Sequence, residues 1–575
     1  MNIAAEEDQK IEDPKILNAN YLRLSGDITL SIDTAEDLTF KVIEGGVEPV
    51  ASPIVNADVC EDGPCAIINL ADSTIRFYAH PIGKGTFYYC HVGTRVVVST
   101  SIQNVAAICQ RTSPNLNTIA EFLVLARNTP CDETATFVKT IQQVPAGSFL
   151  ICSKSAFTIN PFWEPQKHSQ IGRLGVSEAA DLVRQSLIES ISSTGNFRKV
   201  ACLISGGLDS SVIASMVKNR LDSFGGETVF LTLRNGLDCR EERRLQEIFA
   251  SHHQAKLHVV DGLKPRLQLE PLRALNRRVG SPSGGLFTGI FNDAIQHAKS
   301  LGVEAIYGGE GGDEIFATDP SVIADLISRG KFLSAIQATG LAASRNPDHQ
   351  SLGVFCANGL LPLSFCSKFG QRILKRFSRN YSRCLDLDFL KRFVTNLGKQ
   401  FDNVADSVAA DFSRRRKDGW LFSMYNNYRQ LLDVSIYEPK CPFGGESGLP
   451  VFNPIADKEV FLSAMSLRLD ERSCTTVGFR PKRLLQLAGG PDIPLQVSFQ
   501  AKIGVANLVS SCTRGMNEEL IELMRIGTER LGIQVNRQYL NPDNLPPSNS
   551  LCWALVLILV IWFEELEEYV TKSKI

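Results

Sequence analysis

A short run of glycines, hydroxyls and one carboxylate, SGGLDSS at 205–211, is the first part of the chain that could do chemistry. It directly follows the apolar run KVACL and precedes a segment with helical periodicity. A loop that leaves a parallel strand and opens a helix directs backbone N–H groups at an anion, and its glycines let that backbone approach a phosphate closely. The three serine hydroxyls could donate to phosphate oxygens, whereas Asp209 fits there only if Mg²⁺ lies between its carboxylate and the phosphate.

This loop differs from the two commonest phosphate-binding loops. The P-loop requires the pattern GxxxxGK(S/T), but the loop contains no lysine, and it also lacks the dinucleotide pattern GxGxxG. On this motif alone, a plain tight turn between a strand and a helix stays open as an alternative.

A second glycine-rich run, YGGEGGDEIFA at 307–317, follows another apolar strand-like run, VEAIY. It carries three acidic residues: Glu310, Asp313 and Glu314. Burying several carboxylates together is costly unless cations compensate their charge. We therefore predict that Asp209 and Asp313 meet at one edge of a sheet and hold Mg²⁺. The alternative, a solvated acidic loop, would explain neither the four glycines nor the preceding strand.

The elements that must position these loops change in character along the chain. Residues 20–165 contain short β-branched and aromatic runs separated by turn residues, which predicts a layered domain of antiparallel sheets, interrupted by the helix-like NLNTIAEFLVLARN. After a polar linker at 164–175, strands alternate with helices, which favours a doubly wound parallel sheet. Residues 319–439 read as mainly helical. The predicted fold class is α/β, with domains at 1–165 and 176–575.

Composition limits the partners and the compartment. The 575 residues carry 60 Lys+Arg against 62 Asp+Glu, so a net charge of -2 gives no general attraction to nucleic acid. Fifteen cysteines without CxxC pairs favour a reducing, cytoplasmic location, and the acidic N-terminus does not have the pattern of a signal peptide. The apolar run LCWALVLILVIWF at 551–563 is shorter than the roughly 20 residues that cross a bilayer. It predicts a buried helix, with peripheral membrane contact as the alternative.

Together, SGGLDSS and GGEGGDEIF closely resemble the signatures of the asparagine-synthetase superfamily of ATP pyrophosphatases, with Gly308 where the family commonly has serine. The resemblance implies binding of ATP with Mg²⁺, attack of a carboxylate on the α-phosphate, and an acyl-adenylate intermediate. It also implies that backbone at Ile204 and Leu233 holds the adenine and ribose, and that SPSGGLF at 281–287 is a substrate-side loop. The remaining nucleotide-binding positions implied are Ser205, Gly206, Gly207, Leu208, Asp209, Ser210, Ser211, Gly308 and Gly309.

Two further residues take roles from the same resemblance. The segment VGFRPKRLLQLAGG followed by VSFQAKIGV looks like the family's C-terminal helix and basic loop. Lys502 is then expected to stabilise the charge that develops on the adenylate and on the departing pyrophosphate. Glu310 is expected to orient or deprotonate the amine that attacks.

The first domain resembles the family's N-terminal nucleophile (Ntn) hydrolase-like glutaminase domain, but without its nucleophile. Family glutaminases expose a cysteine at position 2, whereas this sequence has Asn2, whose amide cannot attack, and its nearest cysteine is Cys60. We therefore expect the domain to be inactive as a glutaminase.

Two branches of the superfamily have lost this cysteine, the β-lactam synthetases and the lasso-peptide cyclases. β-Lactam synthetases replace the glutamate of the second loop with tyrosine, so the retained Glu310 favours the cyclases. That interpretation implies a precursor-peptide substrate and a leader-peptide protease as a partner. The alternatives are an asparagine synthetase that uses ammonia, a β-lactam-synthetase-like ligase, and a non-catalytic scaffold.

Overall fold

The computed structural model describes the chain in segments, and every structural statement below refers to them. They are residues 3–5, 21–33, 39–50, 64–69, 74–81, 85–125, 130–153, 157–167, 170–233, 240–260, 269–277, 280–282, 288–316, 322–344, 387–404, 421, 424–425, 449–473, 482–498, 518–545 and 549–573.

The N-terminal region forms one sheet in which all neighbouring strands are antiparallel except the first pair. Along the sheet the order is β10-β9-β5-β4-β2-β7-β6-β8, while β3 pairs with β2 and, in parallel, with β1. The strands are β1 Ile3–Ala5, β2 Tyr21–Asp33, β3 Thr39–Val50, β4 Cys65–Asn69, β5 Thr74–Tyr78, β6 Tyr88–Val92, β7 Arg95–Ser99, β8 Gln142–Gln143, β9 Ser148–Cys152 and β10 Phe157–Pro161. The antiparallel β-rich domain is confirmed, and its Ntn-like character stays a prediction.

The long strand β2 joins two groups of strands. Its first half pairs with β4 and its second half pairs with β7. Alternation along β7 buries Val96 and Val98 in a core shared with β4, β5 and β9, while Val97 faces a separate core that contains helices. Helices therefore cover the face of the sheet on which Val97 lies.

Two helices of this region lie on that face, α1 Ile102–Cys109 and α2 Leu116–Leu125. The sequence predicted α2, which is confirmed. Ser101 caps α1, because its hydroxyl accepts a hydrogen bond from the N–H of Asn104 at 3.2 Å.

The predicted linker, residues 164–175, is packed against the rest of the chain. The N–H of Gly172 donates to the carbonyl of Met465 at 3.0 Å, and the N–H of Leu174 donates to that of Ser466 at 2.9 Å. Trp163, just before the linker, is buried in the main core of the second region. The domain boundaries at 165 and 176 stay predictions.

The second region is built on a five-stranded sheet in which every neighbouring pair is parallel. Its order is β13-β12-β11-β14-β15, so the chain moves outward in one direction from β11 and then crosses to the other side of β11. The strands are β11 Lys199–Leu203, β12 Glu227–Leu233, β13 Leu257–Val260, β14 Ala305–Tyr307 and β15 Val451–Phe452. The predicted strands β11 to β14 and the parallel sheet are confirmed.

Helices cover both faces of this sheet. The helices of the second region are α3 Val176–Ser193, α4 Leu208–Asp222, α5 Arg240–His252, α6 Leu269–Asn276, α7 Thr288–Ser300, α8 Gly312–Phe316, α9 Val322–Ser328, α10 Phe332–Ser344, α11 Leu387–Phe393, α12 Lys458–Met465, α13 Leu469–Ser473, α14 Arg483–Gly489, α15 Leu495–Ser498 and α16 Glu518–Arg530. Of these, α11 and α16 share a core with α1 and α2 instead of packing on the sheet. On one face, α3, α4, α12 and α14 share a core with β11 and β14, and on the other α6 and α7 pack against the sheet. In α3, Val183, Leu187 and Ile191 recur every four residues and are buried, as an amphipathic helix requires.

The predicted helical segment at 321–342 is confirmed as α9 and α10. The break between them includes Gly330, which has a φ of 72°. The other helical prediction, at 425–439, lies outside the described residues except for Tyr425.

The chain's apolar C-terminal run lies in α17, Ser550–Lys572. Residues 552–563 are all buried and share a core with α1, α2 and α16. The predicted buried helix is confirmed. Among the described residues no helix is both long enough and apolar enough to cross a membrane.

Candidate active site

The two glycine-rich loops meet at one edge of the parallel sheet. SGGLDSS leaves the carboxyl end of β11, and GGEGGDEIF leaves the carboxyl end of β14, its immediate neighbour. β11 and β14 are the strands at which the strand order reverses. In open α/β sheets, ligands bind at the carboxyl edge beside such a reversal.

The first loop turns sharply between β11 and α4. The N–H of Ile204 still donates to the carbonyl of Leu231 on β12 at 2.8 Å, so pairing continues past the strand's end. Gly206 then has a φ of 84°, and a Cβ there would lie 2.9 Å from the carbonyl oxygen of Glu242. Both the backbone angle and the close approach require glycine. Helix α4 begins at Leu208, so its N-terminal dipole faces the site.

The serines of this loop hold its shape. Ser211 is fully buried and donates to the carbonyl of Gly207 at 2.8 Å. The hydroxyl of Ser210 accepts from the N–H of Ser205 at 3.2 Å and lies 3.0 Å from the Ser205 hydroxyl. Of the three, Ser205 is exposed. In this geometry Ser205 is the serine best able to reach a phosphate, whereas Ser211 fixes the backbone.

The second loop packs directly on the first. A Cβ at Gly309 would lie 2.5 Å from the backbone nitrogen of Ser210, and one at Gly312 would lie 2.1 Å from Cγ of Asp209. The N–H of Gly308 donates to the carbonyl of Phe452 on β15 at 2.9 Å. Gly309 is therefore required by close contact with the backbone of the first loop, and Gly312 leaves room for the Asp209 carboxylate.

The two predicted metal ligands, Asp209 and Asp313, lie on either side of the ammonium group of Lys482. Lys482 forms ion pairs with both carboxylates, with Asp209 through Oδ2 and with Asp313 through Oδ1, the latter at 2.9 Å. The side chains of Lys482, Asp209 and Asp313 are 11%, 21% and 31% exposed, so the three charges are partly shielded from water. The predicted proximity of Asp209 and Asp313 is thus observed.

This arrangement fits Mg²⁺. Asp209 and Asp313 offer carboxylate oxygens, the ligands Mg²⁺ prefers, and they already converge on a positive charge. Among the described residues no group of three His, Cys, Asp or Glu side chains could hold a metal ion. Two carboxylates plus phosphate oxygens and water match how Mg²⁺ binds in nucleotide sites. When bound, Mg²⁺ would neutralise charge on the phosphates.

The remaining predicted residues are placed as follows. Glu310 is exposed on the second loop, between Gly309 and Gly311. Leu233 ends β12, where it pairs with Val260 of β13. Lys502 and most of the 281–287 loop lie outside the described residues.

Lys482 is the site residue that sequence reasoning missed. It stands in the segment VGFRPKRLLQLAGG, immediately before α14, but a lysine at a helix start has no special local signature. Its backbone is left-handed, with φ 60° and ψ 37°, which is uncommon for a residue other than glycine. Such strain recurs at functional sites, and here it accompanies the ammonium group that bridges the two loops.

Comparison with known protein families gives one finding. A family model described as asparagine synthase matches residues 182–525, more than half of the chain and both glycine-rich loops. No curated protein matches the chain.

Proposed function

Since the chain belongs to the asparagine synthase family, whose members ligate amines with the help of ATP, we propose that it closes an isopeptide ring in a processed precursor peptide. In this proposal an Asp or Glu side chain of the peptide is activated by ATP and joined to the peptide's own N-terminal amine, as lasso-peptide cyclases do. ATP-dependent activation is supported mainly by one observation. Asp209 and Asp313 both pair with the ammonium group of Lys482, at the edge of the sheet where the strand order reverses.

The strand order suggests how the substrates are arranged. Ile204 and Leu233 lie at the ends of β11 and β12, where we assign the adenine and ribose. The phosphates then lie over the first loop and the α4 N-terminus. The peptide carboxylate approaches from the other side, over β14 and β15.

The chemistry has two steps. A carboxylate oxygen attacks the α-phosphorus, and the bond from that phosphorus to pyrophosphate breaks. The amine nitrogen then attacks the activated carbonyl carbon, so that the C–N bond forms and AMP leaves with the electrons of the C–O bond. Holding the amine against the activated carbonyl makes this step effectively unimolecular.

We assign three side chains to these steps. Glu310, exposed on the second loop, takes the proton from the attacking amine. Lys482 supplies positive charge beside the departing pyrophosphate. Lys502 remains a predicted second source of positive charge.

The burial of the described N-terminal cysteines favours a reaction in which the attacking amine does not come from glutamine. The described cysteines of the N-terminal region are all buried: Cys65, Cys90, Cys109, Cys131 and Cys152. A thiol that attacks glutamine has to reach its substrate, so none of these five is suited to the task.

A second candidate is an asparagine synthetase that uses free ammonia. It is favoured by the description of the matching family, asparagine synthase. It would require the same activation of a carboxylate but a free aspartate in place of the peptide.

One assay separates these candidates. The purified protein is incubated with ATP, MgCl₂ and either a processed precursor peptide or aspartate with ammonium, and AMP is measured. We expect AMP only with the peptide, together with a product lighter by one water. The matched control is the same peptide with its acceptor Asp or Glu replaced by the corresponding amide. AMP with aspartate and ammonium would support the synthetase, and no AMP with any acceptor would exclude both.

A further inference from the structure

Asn453 carries a buried amide with no hydrogen-bond partner among the described residues. Both Nδ2 and Oδ1 are shielded from solvent, although the residue as a whole is only partly buried. Asn453 also precedes the short 3-10 helix Pro454–Ala456, where an asparagine commonly caps, yet its side chain makes no capping bond. Burying an amide without partners costs free energy in the folded protein, which a bound ligand that pairs with the amide would offset.

This amide lies at the carboxyl edge of the parallel sheet, beside the second loop. Asn453 directly follows β15, whose Phe452 accepts a hydrogen bond from the N–H of Gly308 at 2.9 Å. Val451 packs on the face covered by α6 and α7, and Phe452 packs on the opposite face. The backbone of Asn453 has φ -129° and ψ 87°, so the regular strand ends at Phe452 and the chain turns at Asn453 into the 3-10 helix.

The strand order separates this position from the nucleotide. The adenine and ribose are assigned to β11 and β12 and the phosphates to the gap between β11 and β14, whereas β15 is the outer strand beyond β14. A group bound at the end of β15 would therefore be on the side where the carboxylate substrate enters.

We infer that Asn453 is a substrate-binding residue that holds a backbone amide next to the carboxylate being activated. This rests on the proposed function. A primary amide donates through its nitrogen and accepts through its oxygen, so it pairs with both the N–H and the C=O of a peptide unit. The expected ligand is thus a peptide-like carboxylate, in which Asp or Glu is flanked by amide bonds, rather than a free amino acid.

The test is ATP–pyrophosphate exchange, which reports the activation step without any amine. The probes are N-acetyl-aspartate and N-acetyl-glutamate α-methylamides, compared with free aspartate, and thermal unfolding is measured in parallel. For Asn453→Leu, which is similar in shape but apolar, we expect a KM for the capped probe that is higher by about 10-fold or more, with an unchanged KM for ATP. The Tm should be unchanged or higher, because the variant removes an unpartnered amide. Asn453→Ala should show the same KM effect without added bulk.

The matched control is Thr228→Val. The hydroxyl of Thr228 is likewise buried and without a partner among the described residues, but it lies at the amino end of β12, the opposite edge of the sheet. It should leave both KM values unchanged. Equal probe KM in the wild type and both Asn453 variants, or a Tm lowered by several degrees in both, would overturn the assignment but not the proposed function. No exchange by the wild type with any probe would overturn both.

Discussion

The ammonium nitrogen of Lys482 lies 2.9 Å from Oδ1 of Asp313, on the second glycine-rich loop. The same ammonium also pairs with Asp209 on the first loop. Two carboxylates on touching loops repel each other unless a cation lies between them. Lys482 therefore makes the closed arrangement of the two loops electrostatically acceptable.

Replacing Lys482 with methionine, which keeps most of its length, should remove the ammonium group that pairs with both Asp209 and Asp313. We expect kcat for AMP formation to fall by about 100-fold. We also expect MgCl₂ to raise the Tm of the variant by more than it raises that of the wild type, because the metal then supplies the missing charge. Both quantities follow from steady-state assays and thermal unfolding with and without MgCl₂.

The control for this variant is Lys218→Met. Lys218 pairs with Asp222 at 2.6 Å at the C-terminal end of α4, and their side chains are 19% and 50% exposed. This pair lies at the opposite end of the helix from the first loop, so the activity of the variant should match that of the wild type. A Lys482→Met enzyme with unchanged kcat would contradict the assigned role.

Gly312 should not tolerate even one methyl group. In Gly312→Ala the new Cβ would lie within 2.1–2.4 Å of the Asp209 carboxylate atoms, so this carboxylate must leave the position in which it pairs with Lys482. We expect ATP affinity, measured by calorimetry with MgCl₂, to fall by at least about 10-fold. Gly340→Ala in α10 is the matched control, since nothing lies within 4 Å of its Cβ position. It should bind ATP normally and gain up to about 1 kcal/mol of stability. Equal ATP affinity for the two variants would refute the close packing.

An ion pair joins the C-terminal helix to Arg277, the residue that follows α6, and its carboxylate partner Glu565 is buried. Oε2 of Glu565 accepts from Nε of Arg277 at 2.7 Å, and the Glu565 side chain is only 5% exposed. Glu565→Gln should lower the free energy of unfolding by about 1–2 kcal/mol, because a charge-assisted bond in a shielded place is weakened. Glu568→Gln, an exposed change on the same helix, should cost less than about 0.5 kcal/mol. Urea unfolding measures both, and equal effects would show that the Glu565–Arg277 pair contributes no more than an exposed one.

Two neighbouring thiols predict a pH dependence of stability. A hydrogen bond from Cys109 lowers the pKa of Cys90 from 9.0 to about 7, and the same bond raises the pKa of Cys109. Between pH 7 and 9 the folded chain has then lost more protons than the unfolded chain, so stability rises with pH. Above pH 9 the unfolded chain loses both protons while the folded chain keeps one, so stability falls again.

Urea unfolding from pH 6 to 10 tests this, with Cys109→Ala as the comparison. The difference in unfolding free energy between wild type and variant should peak near pH 9. A difference that is flat with pH would show that the two thiols do not share a proton.

The parts of this structure that were predictable are those specified locally. Each of β11 to β14 lies in a short run that is rich in apolar and β-branched residues, and each glycine-rich loop follows its strand directly. Neighbouring parallel strands therefore bring Asp209 and Asp313 to one edge of the sheet. The C-terminal buried helix was also predictable, because its apolar run is too short to cross a membrane.

The parts that were missed depend on contacts far apart in the sequence. Lys482 and Asp209 are 273 residues apart, and only the packing of α14 against α4 brings them together. Strand β3 contains two glycines and a proline, which disfavour strands, yet it pairs with a neighbour on each side. Strand β15 is two residues long and has no periodicity to detect.

The most direct test of ATP-dependent carboxylate activation is the fate of the carboxylate oxygen. A precursor peptide labelled with ¹⁸O in its acceptor Asp or Glu side chain is incubated with the enzyme, ATP and MgCl₂, and AMP is analysed by mass spectrometry. We expect one ¹⁸O atom in AMP, because a carboxylate oxygen attacks the α-phosphorus and stays with it when the amide forms. Unlabelled AMP, or ADP and phosphate as the products, would contradict this expectation.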